Sequence, residues 1–313
     1  MGDAMEIKPR VSILVPSLNV VKYIRQFMDS IIRQSLPDIE ILCVDAGSTD
    51  GTLEILEEFA KSDPRIQLIH SDRKSYGYQM NLGLDIARGE YIGIVETDDW
   101  IEPSMFETLW KTAVQTGADI IKSNHFRYAA TPRTLNVEIE NLFRIPYNQV
   151  FCPYQTVEVF TVMPTIWSAI YRRSMLEKNG IRFHETPGAS YQDASFQFMV
   201  FSMAESMYCI RDCFYHYRTD NETSSMNSRG KIYCICDEMS YYYAFLERHP
   251  HKLELLTPVY YEEMHRHYAS NYRRIAPEFK KEFLQVMYEH LRAAEQEGLL
   301  LEELFDPPLW KDL

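Results

Sequence analysis

From Val11 to about Ile120 the chain alternates between short apolar runs and stretches of helical spacing, and this alternation restricts its fold more than any other feature. Val11-Ser12-Ile13-Leu14-Val15, closed by Pro16, reads as a strand. Tyr23, Ile24, Phe27, Met28, Ile31 and Ile32 then recur with helical period, with Lys22, Arg25, Asp29 and Arg33 on the other side. Ile39 to Val44 is the second strand, and Ser48 or Asp50 is placed to cap a helix from Thr52 to Lys61. Ile66 to His70, a helix from Tyr78 to Ala87 stopped by Arg88-Gly89, and a strand from Tyr91 to Val95 follow. A helix from Ser104 to Thr116, ended by Gly117, leads to a further strand near Ile120. The order βαβαβαβαβ predicts an α/β fold with a mostly parallel sheet covered by helices on both faces.

In such a sheet function collects beyond the carboxyl ends of the strands. Four segments meet there: Pro16-Ser17-Leu18-Asn19, Asp45-Ala46-Gly47-Ser48, the Ser71 to Gly77 loop, and Glu96-Thr97-Asp98-Asp99. The last sets three carboxylates directly after a buried strand. Like charges raise one another's pKa, so such a cluster calls for something positive. A Mg²⁺ or Mn²⁺ ion meets that need and suits a phosphate-bearing substrate. The alternative is a helix start at Pro103 or Ser104 that attracts acids. No turn has the G-x-G-x-x-G or P-loop pattern, which disfavours hydride transfer and ATP hydrolysis.

Composition narrows the partners. A formal net charge of −13 argues against nucleic-acid binding. No apolar run is long enough to span a membrane, and the short polar segment Met1 to Arg10 predicts no signal peptide. The spacings of Cys43, Cys152, Cys209, Cys213, Cys234 and Cys236 fit no common zinc pattern, so reduced thiols are expected.

The strand-end segments, in this order, resemble the family 2 glycosyltransferases of the GT-A fold. The resemblance rests on Val15-Pro16-Ser17-Leu18-Asn19, Asp45-Ala46-Gly47-Ser48-Thr49-Asp50-Gly51-Thr52, Asn81-Leu82-Gly83, Gly89-Glu90-Tyr91 and Glu96-Thr97-Asp98-Asp99. It implies a GT-A (Rossmann-like) sheet, a nucleotide-sugar donor and a divalent metal. It implies further that Pro16, Asn19, Asp45, Gly77, Asn81, Glu96, Thr97 and Arg218 line the donor site. Asp45 would pair with the base; Asp98 would bind the metal, with Glu96 near the ribose or the metal's water. Three departures stand out: Ala46 for an acid, Glu96 for the first Asp of the triplet, and Met80 where an Arg is common. Arg73 and Lys74 are the candidates to replace that missing cation.

After Asn124 the pattern loosens into a region rich in Pro and aromatics, from Phe126 to Pro164. Trp167 to Arg172 reads as a strand, and Ser174 as the cap of a short helix ending at Asn179-Gly180. In the resemblance an acidic pair lies at Gln192-Asp193, and its second member, Asp193, is the general base; a plain helix cap is the competing role. An ordinary carboxylate, with a pKa near ~4, would be ionised at neutral pH without tuning. His216-Tyr217-Arg218 and Asn221 to Ser225 resemble a loop that closes over a diphosphate, with Arg218 as anion partner and His216 ranked below it. Helical spacing dominates from Lys231 onward, and the run from His265 to Lys281 forms a basic patch that either faces solvent or approaches an anionic membrane.

The sequence thus predicts a donor-binding half over 9–125, an acceptor-side half over 126–228 and a C-terminal helical extension over 229–313. The expected activity is metal-dependent, inverting transfer from a nucleotide-sugar, a UDP-sugar first, to a saccharide or lipid-linked acceptor. The expected setting is surface-polysaccharide or glycolipid synthesis, in the cytoplasm or peripherally at the inner membrane face. A non-catalytic nucleotide-sugar-binding module is the alternative; a nucleotidyltransferase would need a Gly-rich basic turn that Pro16-Ser17-Leu18-Asn19 lacks. Oligomeric state is left open.

Overall fold

The computed structural model describes residues 8–130, 133–140, 142, 145–221 and 231–300. Strands β1 (Val11–Ser17), β2 (Ile39–Asp45), β3 (Ile66–His70) and β4 (Tyr91–Ile94) are joined through α1 (Ile24–Ile32), α2 (Thr52–Ser62) and α3 (Tyr76–Ile86). The four strands pair in parallel in the order β3-β2-β1-β4. Every residue of β1 and β2 is buried, as befits strands covered on both faces.

β1 runs two residues past Val15, through the predicted stop at Pro16. Its pairing with β4 ends at Leu14↔Ile94, whereas its pairing with β2 continues to Ser17↔Asp45. Pro16 therefore occupies a place where one side of the strand needs no N–H donor. Two glycines permit close packing nearby. A Cβ on Gly89 would lie 2.4 Å from Ser12 N, and one on Gly77 would lie 1.9 Å from the His184 carbonyl oxygen.

The rest of the sheet departs from simple alternation. After β4 come a two-residue strand β5 (Trp100–Ile101), α4 (Met105–Thr116) and β6 (Ile120–Ala129). β7 (Leu135–Ile139), β8 (Val150–Phe151), β9 (Ala169–Arg172), α5 (Arg173–Lys178), α6 (Gln192–Met203) and β10 (Met207–Arg218) follow. β6 does not sit beside β4: β9 enters between them, antiparallel to both. β1, β2, β3, β4, β6 and β10 run one way, and β5, β7, β8 and β9 the other. The predicted strand from Trp167 begins instead as a 3₁₀ turn over Ile166–Ser168. The next helix starts at Arg173, so Ser174 lies inside it rather than capping it.

Three helices close the described chain: α7 (Cys234–Glu247), α8 (Pro250–Arg274) and α9 (Lys280–Gln296). Their aromatic residues are largely core, with Tyr242, Phe245 and Tyr268 at or below 1% exposure. The basic run divides here: Arg273 and Lys281 are exposed, while other members are drawn inward. His265 is fully buried, Arg266 pairs with Glu262 and Glu263, His267 lies against Glu263, and Arg274 turns onto the ring of Tyr191. Among the described residues no helix is long and apolar enough to cross a membrane. All six cysteines are free; burial and then the charge of Asp45 push the Cys43 thiol up to about 12.

Candidate active site

The acidic turn lies where β4 leaves the sheet. Val95 N donates to Leu14 O at 3.1 Å, and Thr97 Oγ1 donates to Pro16 O at 3.1 Å, so the turn is pinned to the end of β1. It does not start a helix: β5 intervenes, and α4 begins only at Met105. Ser104 is the N-cap position of α4, where the sequence placed the helix start, and β5 separates it from the acids.

The three acids differ sharply. Asp99 is 2% exposed and saturated, accepting from Tyr215 Oη at 2.7 Å and from Arg218 N at 2.7 Å. Burial, followed by the charges of Asp98 and Glu96, holds its carboxyl well above the usual range. It ties the turn to β10. Glu96 and Asp98 are half-buried and each has one side-chain donor. Tyr76 Oη donates to Glu96 Oε1 at 2.7 Å, and Asn221 Nδ2 donates to Asp98 Oδ2 at 2.8 Å. The remaining oxygen of each has no hydrogen-bond partner among the described residues. Burial, with the added charges of Asp98 and Asp193, pushes Glu96 up to about 8 against the Tyr76 hydrogen bond.

Asp193 opens α6 and meets this cluster from the other half of the chain. It follows Tyr191, whose φ of 63° lies in the left-handed region. Its Oδ1 accepts from Ala194 N at 2.9 Å, a local cap, and no side chain of the described residues donates to it. Its charge acts on Glu96, Tyr76 and Tyr217. Contrary to the sequence expectation of an ordinary carboxylate, burial first, with the charge of Glu238 adding to it, pushes Asp193 up to about 6. Gln192, at the position of the missing first acid, is 2% exposed. Its amide accepts from Ser190 N and donates to Thr186 Oγ1 at 2.8 Å, a double role that no carboxylate can fill.

Other expected donor-site residues are engaged inside the protein. Asp45 is fully buried, with Oδ1 accepting from Gly47 N at 2.9 Å and Ser48 N at 2.8 Å. Its Oδ2 accepts from Ser48 Oγ at 2.6 Å and Ser17 Oγ at 3.0 Å. In this arrangement Asp45 builds the turn and offers no free acceptor to a base. Asn19, at φ 53°, accepts from Thr49 N at 2.9 Å and joins the first two strand-end loops. Asn81 forms a two-way link with Phe183, donating to its carbonyl at 2.9 Å and accepting from its N–H at 2.9 Å. Gly77 serves the same contact between α3 and the segment before α6.

Arg218 is not the free anion partner its context suggested. Its Nε donates to Asp98 O at 2.8 Å and its Nη2 to Gln26 Oε1 at 2.8 Å, with Tyr23, Trp100 and Tyr128 around the guanidinium. It clamps the acidic turn from beneath. His216 is structural, stacked between Trp100 and Phe126 and bonded to Glu102 at 2.7 Å and Asn136 at 2.9 Å. The Ser224-Ser225 pair lies outside the described residues. Met80 is core at 1% exposure, and Arg73 pairs with Glu185 at 3.3 Å.

Tyr76, Tyr215 and Glu238 escaped sequence reasoning. Tyr215 both holds Asp99 and accepts from Glu96 N at 3.1 Å. Glu238, 1% exposed, accepts from Ser195 Oγ at 2.5 Å and bonds His184 at 3.1 Å. The aromatic run Phe214-Tyr215-His216-Tyr217 was the signal available for Tyr215, and it marks a strand rather than a contact.

This arrangement of acids at the ends of parallel strands coincides with a recognised sequence profile. Glycosyl transferase family 2 matches residues 12–180, more than half of the 313-residue chain. The chain belongs to that family. The uncharacterized glycosyltransferase EpsJ of Bacillus subtilis is 33% identical over 67% of this chain and 61% of its own length. The chain spans about three fifths of the length of the curated relatives EpsJ exemplifies. S. aureus TarS 1–349, solved in complex with UDP-GlcNAc, superposes with a TM-score of 0.75 at 18% identity, covering 94% of this chain and 85% of that one. The mannosyltransferase PcManGT of Pyrobaculum calidifontis, solved with GDP-Man and Mn²⁺, gives 0.50 at 20% identity over 91% and 70%. Within family 2 the fold is thus of the GT-A type, with the C-terminal helices added to it.

Proposed function

We propose that this chain is a metal-dependent, inverting glycosyltransferase that takes a sugar from a nucleotide-sugar, a UDP-sugar first, and places it on a hydroxyl of a saccharide or lipid-linked acceptor. The observation that carries this is the meeting of Glu96 and Asp98, each with an oxygen in reserve, and Asp193 from the opposite half of the chain. Nucleotide-sugars bound to TarS and PcManGT support the donor class.

The acid pair fits a hard divalent cation. Among the described residues no group of three or more His, Cys, Asp or Glu side chains could hold a metal by itself. One or two carboxylates completed by substrate phosphates is the usual arrangement for Mg²⁺ and its relatives. Asp98 would be the ligand, supported by Glu96, and the bound cation would neutralise charge gathering on the departing diphosphate. The protein's own groups do the rest. Asp193 accepts the proton of the acceptor hydroxyl as that oxygen bonds the anomeric carbon, and the bond to the diphosphate oxygen breaks with its electron pair. A single in-line displacement inverts the centre. Arg218, Asp99 and Tyr215 hold the turn still.

On this reading 9–125 holds the donor, 126–228 the acceptor side, and 229–313 is an extension. Surface-polysaccharide or glycolipid synthesis at the cytoplasmic face remains the setting that the resemblance suggests. Ala46, Met80 and Gln192 are the departures that suit a non-catalytic module, but each has a packing or hydrogen-bonding cause. Hydrolysis of a panel of nucleotide-sugars with Mn²⁺, run beside EDTA, is the test. Turnover that EDTA abolishes is expected, and binding without turnover would favour the module.

A further inference from the structure

Three tyrosines surround the acidic cluster, and their hydrogen bonds divide them. Tyr76 Oη donates to Glu96 at 2.7 Å, and Tyr215 Oη donates to Asp99 at 2.7 Å. Tyr217 lies two residues beyond Tyr215 on β10, so the alternation of a strand turns both side chains to one face. His216 and Arg218 take the other face, where both lie against Trp100. Trp167 is 6% exposed and stacks on both tyrosines, its ring centre 4.0 Å from that of Tyr215 and 5.3 Å from that of Tyr217. His125 packs at right angles to Trp167 from 4.9 Å, and the stack fixes the Tyr217 ring in place.

The Tyr217 hydroxyl has no hydrogen-bond partner among the described residues, although the side chain is half-buried. A phenol held inside a protein usually finds a partner, and this one is left with its donor in hand. Its neighbours show where it stands. Arg218 N, the next amide along β10, donates to Asp99 at 2.7 Å, which brings this end of the strand to the acidic turn. Burial, then the charges of Asp99, Asp193, Asp98 and Glu96, push the phenol up to about 12, so it keeps its proton. Those carboxylates come from both sides of the site, the turn after β4 and the start of α6. A proton donor that feels both the diphosphate-side acids and the base stands beside the space that a transferred sugar must occupy.

We propose that Tyr217 is a specificity-determining residue whose hydroxyl donates a hydrogen bond to an oxygen of the transferred sugar. The inference rests on the proposed function, since it needs a sugar held between Asp98 and Asp193. It narrows the donor to sugars that carry a hydroxyl or acylamino oxygen on the side turned toward β10. A sugar deoxygenated there is disfavoured, because the phenol is then left without its partner.

Calorimetric binding to the full chain with Mn²⁺ provides the test. The probes are UDP-glucose, UDP-galactose, UDP-N-acetylglucosamine and GDP-mannose, each beside its nucleoside diphosphate, and monodeoxy derivatives of the one that binds tightest. Tyr217→Phe should weaken the preferred nucleotide-sugar roughly tenfold and leave the nucleoside diphosphate unchanged. Against one deoxy derivative that penalty should vanish, because the oxygen that Tyr217 serves is absent. Tyr215→Phe is the structural control: it strips Asp99 of a donor and should lower the affinity of every probe alike. If Tyr217→Phe melts early, the deoxy comparison still decides, since a folding defect costs each derivative the same. An equal penalty on every deoxy derivative, or no penalty on the preferred nucleotide-sugar, overturns the assignment. Equal weakening of the nucleoside diphosphate overturns it in favour of a phosphate contact. Should the unmodified protein bind no nucleotide-sugar, the proposed function falls and takes this assignment with it. A protein that binds one, with Tyr217→Phe indistinguishable from it, loses this assignment alone.

Discussion

The ends of β2 and β4 are built from the same materials and put them to opposite uses. At each, acidic residues stand where a buried parallel strand ends. After β2, Asp45 accepts four hydrogen bonds and is sealed from solvent. After β4, Glu96 and Asp98 have one side-chain donor each and crowd one another and Asp193. A carboxylate ringed by local donors is architecture. Carboxylates left short of donors beside other carboxylates are strained until a cation or a proton arrives, and that is the state suited to binding and chemistry.

The sharpest way to break this contrast is at the base. Asp193→Asn should lower transfer by about 10²–10⁴-fold, the usual worth of general base catalysis, with donor affinity measured by calorimetry unchanged. Full transfer would reduce Asp193 to a helix cap. Asp98→Asn should lower transfer about 10²–10³-fold and remove the response to added Mn²⁺ in the same assay. A variant still stimulated by Mn²⁺ would move the metal elsewhere.

At the β2 end the damage should be structural. Asp45→Ala should lower folding stability by about 2 kcal/mol in urea unfolding, because it strips donors of their partner. A stable variant with lost donor binding would show that Asp45 turns outward to the base. The pH profile is a milder probe. Asp193 must be ionised to accept a proton, and its value is pushed up to about 6. Transfer should therefore fall about tenfold per pH unit below about 6 and level off above about 7. A limb near pH 4 would mean that bound substrates relieve the burial. The smallest effect is expected from Arg73→Ala with Lys74→Ala: Arg73 is paired with Glu185, so donor affinity should barely change.

Much of the fold was legible because hydrophobic period is a local property. The four parallel strands and the helices between them follow from spacings within each segment. The insertion of β9 between β4 and β6 was not legible, since nothing in Ala169–Arg172 records which neighbours it will have. Ser174 misled because a good capping residue sits one position inside the helix it was expected to begin. The basic run from His265 was legible only in part, because composition does not say which way a helix face points: Arg273 and Lys281 are exposed and His265 is buried.

For the site, the chain alone determined which residues gather. Segments at the carboxyl ends of consecutive parallel strands must share one edge, so Asn19, Asp45 and Glu96 to Asp99 were bound to be neighbours. Their separate duties were settled only by tertiary contacts. Asp45, Asn81 and Arg218 are engaged by partners up to 192 residues away, as Arg218 is by Gln26. Glu96, Asp98 and Asp193 keep acceptor capacity in reserve. Hydrogen-bond saturation and burial depend on what the folded chain brings alongside, and that difference divides the acids that build this protein from those available to act.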